Sequence, residues 1–108
     1  MSLDKLEVVD AVGTEKNSDT VVLNLFDAWD WDDERGHLIA LQDKLNAYLA
    51  FVETGQIYED YPTAAGKALR IDVISRYPVP EAALAFLERA ATVASQLSIT
   101  ITQRHVGG

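Results

Sequence analysis

Five carboxylates crowd eight positions, Asp27, Asp30, Asp32, Asp33 and Glu34, with Trp29 and Trp31 set between them and His37 one turn further on. Carboxylate oxygens gathered in a tight turn suit Ca²⁺ or Mg²⁺. The spacing, however, lacks the glycine and the terminal glutamate of an EF-hand loop. Asp33 and His37, four residues apart, are the weak candidates for a metal pair, or for a carboxylate supporting a charged imidazole. Zinc normally takes three or four protein ligands, and the only other histidine is His105. The expectation is therefore no metal, no cofactor, and a hydrogen-bonded surface histidine at position 37.

Two other roles suit the acidic turn. Acids at the start of a helix satisfy its unpaired N–H groups and complement its dipole, so capping is the first expectation. Tryptophan beside charge is also typical of interaction hot spots. Trp29, Asp30, Trp31, Asp32, Asp33 and Glu34 are accordingly the candidate partner-binding residues, with one tryptophan buried and one partly exposed. Catalytic signals are nearly absent. There is no Gly-x-Ser-x-Gly elbow, no cysteine nucleophile and no glycine-rich phosphate loop. His37 is the one general-base candidate outside the tail.

Charge narrows the partners. Seventeen acids against nine bases give −8, and twelve acids against nine bases remain outside the turn. No basic stripe exists to displace counterions from a nucleic-acid backbone or to meet an anionic membrane. A basic protein remains a suitable partner. No apolar run approaches the ~20 residues that span a bilayer, and no leader pattern opens the chain, so a cytoplasmic protein is expected.

The elements that must position the turn follow from periodicity. Leu6 to Val12 and Thr20 to Phe26 read as a β-hairpin around the polar stretch 13–19. From about Asp32 to Thr54, Leu38, Leu41, Leu45, Leu49 and Val52 recur at helical steps, with Gln42, Asp43, Lys44 and Asn46 outward and Gly55 as the terminating residue. Gln56 to Gly66 reads as a connector. Leu69, Ile71 and Val73 alternate with Arg70, Asp72 and Ile74 as a strand. A second helix opens at Pro80-Glu81 and runs to about Leu97, burying Leu84, Leu87 and Ala94. Ser98 to Thr102 forms the last strand, with Ile99 and Ile101 inward, and residues 1–4 and 105–108 read as loose termini.

This predicts one α+β domain over 1–108: a ββαβαβ two-layer sandwich, its four-stranded sheet covered by two helices on one face. Val9, Val22, Phe26 and Ile74 would share the outer sheet face, which makes them candidates for a homodimer interface.

The stretch from Trp29 to Pro62, WDWDDERGHLIALQDKLNAYLAFVETGQIYEDYP, resembles a family of small bacterial proteins catalogued only as a domain of unknown function. That family similarly joins an acidic tryptophan turn to an HL-x-x-LQ-x-K-x-N-x-YL helix. Arg76-Tyr77-Pro78 and Phe86-Leu87 also fit. The resemblance implies a stand-alone bacterial domain and carries no activity or catalytic residue with it. Three functions are weighed: a non-catalytic interaction protein, a small enzyme or divalent-cation binder using Asp30, Asp33, Glu34 and His37, and a structural homodimer.

Overall fold

Val21, Leu23 and Leu25 occupy alternate positions of one strand, so one of its faces is aliphatic and has to be covered. A computed structural model, describing residues 11–15 and 19–106, shows the cover. β1 (Ala11–Glu15) and β2 (Thr20–Asp27) are followed by α1 (Glu34–Glu53), α2 (Gln56–Asp60) and a 3₁₀ turn at Pro62–Ala64. β3 (Ala68–Ser75), α3 (Glu81–Ser95) and β4 (Ile99–His105) complete the order. The strands lie in the order β1-β2-β3-β4, with β1 antiparallel to β2 and the other two pairings parallel.

Each parallel step moves one place in the same direction along the sheet. The near-universal right-handed crossover, applied twice that way, puts both long helices on one face. The core agrees: Val21, Leu23, Leu25, Leu69, Ile71, Val73 and Ile99 meet Leu41, Leu45, Tyr48 and Val52 of α1 and Leu87, Ala90 and Ala94 of α3. The two-layer α+β reading therefore holds, with α2 as an added element. Ile57 anchors α2 in the core, fully buried, which is why the connector folds rather than trailing as a loop. Gly55, at φ 83°, makes the left-handed turn between α1 and α2 that side-chain-bearing residues avoid.

Several boundaries and phases differ from the sequence reading. Gly13, Thr14 and Glu15 pair with β2 rather than looping, so the hairpin connection is shorter; residues 6–10 of the predicted strand lie outside the described residues. β4 runs on to His105, which pairs with Ser75 instead of forming a loose tail. α3 ends at Ser95, two residues early. Leu84 is 42% exposed, because α3 turns Ala83, Leu87, Ala90 and Ala94 to the sheet, where small side chains let the helix come close. Leu38, Leu49 and Ile101 are half-buried. Lys44, expected outward, is buried, with its ammonium 5.6 Å from the centre of the Tyr48 ring.

The outer sheet face carries charged and polar pairs among its apolar residues. Arg70 pairs with Glu15 at 2.8 Å, and Asp72 takes Thr102 at 3.1 Å and Arg104 at 3.3 Å. Val22 and Ile74 are buried within the monomer and Phe26 is half-buried; Val9 lies outside the described residues. Among the described residues no helix is long and apolar enough to cross a membrane.

Leu45→Ala should cost about 2–5 kcal/mol of unfolding free energy, from lost burial and the cavity left. Leu84→Ala should cost under about 1 kcal/mol. Urea denaturation of the two variants distinguishes the core phase of each helix.

Candidate functional site

β2 points inward at Val21, Leu23 and Leu25, and the next inward position is Asp27. α1 points inward at Leu41 and Leu45, and one turn earlier on that face stands His37. Two periodicities thus deliver a carboxylate and an imidazole to the same buried place, where the strand ends and the helix begins. His37 is no surface residue. Its Nε2 lies 2.6 Å from Asp27 Oδ2, with both side chains 1% exposed. Its Nδ1–H donates to the Asp30 carbonyl at 2.8 Å. A carbonyl only accepts, so Nδ1 carries a hydrogen. One proton is then shared across the Asp27–His37 contact, on an imidazolium facing a carboxylate or on a carboxylic acid donating to a neutral ring.

Burial pushes the Asp27 carboxyl above its usual 3.8, opposed by the hydrogen bond and charge of His37 and by the Trp29 backbone N–H. That N–H donates to Asp27 Oδ1 at 3.1 Å. Trp31 stacks on the imidazole at 3.5 Å and 14°, and Trp29 tilts against it at 5.6 Å. Trp31 is half-buried and Trp29 is 39% exposed, so neither is buried as one of them was expected to be.

The helix cap is Asp33, whose Oδ1 accepts from Gly36 N–H at 3.1 Å. Asp32 does not cap; its own N–H donates to Asp30 Oδ1 at 3.1 Å. A Cβ at position 36 would run into the Asp33 carboxylate, which would have to turn aside, so glycine three residues on favours the cap in this form.

Of the predicted partner-binding residues, Trp29, Asp30 and Asp33 come together with Ala28, Gly36, His37 and Tyr77 around a hollow of about 400 Å³. Asp32 and Glu34 are exposed beside it, and Trp31 stands behind the imidazole. The hollow opens at the carboxyl ends of β2 and β3. Asp27 was read from sequence as one of the clustered acids and not as a buried partner of His37, and Gly36 was not singled out.

The arrangement limits the chemistry. Both ring nitrogens of His37 are already hydrogen-bonded, which leaves neither free to take a substrate proton. Asp33 and His37 form no metal pair, since one caps the helix and the other faces Asp27. Among the described residues no group of three His, Cys, Asp or Glu could hold a metal ion.

Asp27→Ala strands His37 Nε2 and the Trp29 N–H and should cost roughly 3–5 kcal/mol. Asp27→Asn resembles the protonated acid, can donate to Nε2 and should cost much less. Because the folded pKa of Asp27 is raised, its contribution is fully present below 3.8 and lost as pH rises through the higher folded value. Asparagine does not titrate, so the stability of Asp27→Asn relative to the parent should improve as pH rises above about 4. Thermal melts of the pair across pH check the sign. Gly36→Ala should lose the cap, about 0.5–2 kcal/mol, offset by up to about 1 kcal/mol of helix propensity.

No curated protein and no solved structure matches the chain. A family model does, over residues 1–107, and the protein belongs to that family, DUF6572, a family of unknown function.

Proposed function

We propose that the protein is a non-catalytic binding domain of the bacterial cytoplasm that captures a basic protein partner at the acidic tryptophan turn. One observation carries this reading: Trp29 and Tyr77, 39% and 38% exposed, stand with Asp30 and Asp33 around one open hollow. Half-exposed aromatics beside carboxylates offer a cation both dispersion and charge. Asp32 and Glu34, exposed alongside, extend the negative field towards an approaching partner. The occupied nitrogens of His37 weigh against the enzyme reading that uses it as a base.

A basic peptide of mixed lysine and arginine should bind, and its affinity should fall steeply between about 0.1 M and about 1 M salt, as the Debye length shrinks from ~10 Å to ~3 Å. The double variant Asp30→Asn/Asp33→Asn should slow association more than it speeds dissociation. Binding that ignores salt, or no binding at low salt, would overturn the reading.

A second reading, the homodimer, draws on a hollow of about 290 Å³ on the outer face, lined by Phe26, Asp27, Ala28, Ile74, Arg76 and Val106. Phe26→Asp should then shift sedimentation towards monomer without unfolding the protein. A parent protein that sediments as a monomer at high micromolar concentration disposes of this reading.

A further inference from the structure

Resting on the basic-partner reading, we infer that the hollow beside Trp29 takes the guanidinium of a single arginine side chain. Its size is the first reason: about 400 Å³ is far more than a bare ion fills, and the described residues gather no three-ligand metal group. The occupant is therefore an organic cation. Its walls are the second reason. Trp29 and Tyr77 supply aromatic walls, and Asp30 and Asp33 each commit one oxygen to a backbone N–H, leaving the other oxygen and further lone pairs for a second donor. A planar fork can stack on a ring while pairing with carboxylates. A lysine ammonium is a compact, strongly hydrated point charge and cannot do both.

The third reason is independent of the acids. The guanidinium carbon of Arg76 lies 5.7 Å from the centre of the Tyr77 ring, so this ring already takes a guanidinium, although Arg76 itself lines the outer-face hollow and not this one. Arg76 is exposed and tethered next to the ring.

The test is calorimetric titration with two peptides identical except for one arginine-to-lysine exchange, and with agmatine as a free guanidino compound. The arginine peptide should bind about tenfold more tightly than the lysine peptide. That preference should disappear in Trp29→Leu, whose fold is checked by circular dichroism. Equal, salt-sensitive binding of both peptides overturns the arginine assignment while the basic-partner reading stands. Absence of binding by either peptide overturns both. Agmatine binding as tightly as the arginine peptide overturns the partner's side chain as the source.

Discussion

Asp27 at the end of β2 and His37 in the first turn of α1 meet at 2.6 Å, and the segment that joins sheet to helix has to fit the span this contact sets. A buried carboxylate or a buried imidazole alone would be costly. Together, sharing one proton, they satisfy each other and leave one polar atom each for the chain between them. Asp27 Oδ1 takes the Trp29 N–H, and His37 Nδ1–H reaches the Asp30 carbonyl. The turn is therefore pinned from both ends, with its tryptophans on either side of the imidazole.

This pinning explains why a charged segment forms a defined surface. Acids that are merely solvated spread their charge over many side-chain rotamers. Here Asp30 and Asp33 each bind a backbone N–H and so hold a fixed direction. Trp29 is left half-exposed because it tilts against the imidazole rather than packing on the aliphatic core.

Much of the fold was legible in the sequence because both long periodicities are strong. The leucines at 41 and 45 and the alternation through Ile71 and Val73 each fix a face with little ambiguity. α3 was harder, since with alanine at so many positions several phases bury similar apolar area, and close approach to the sheet chose the one that exposes Leu84. The Asp27–His37 contact was itself encoded. The inward alternation of β2 continued through position 27, and the leucine face of α1 continued back through position 37. Neither residue is apolar, so reading for hydrophobic faces stopped one step short at each end. The part played by Tyr77 had no local signal, because the parallel pairing of β2 with β3 brings it to the turn from fifty residues away in sequence. The identity of the cap, Asp33 rather than Asp32, likewise depends on where Asp30 turns the chain.

The chain has two tryptophans, and both lie in this one turn. Its intrinsic indole emission is thus a local signal, with one ring packed flat on a histidine that can quench it. Emission and backbone circular dichroism consequently report on different things in this protein. If the turn detaches while the sheet and helices persist, the two transitions separate; if they coincide, the turn opens only with the whole domain.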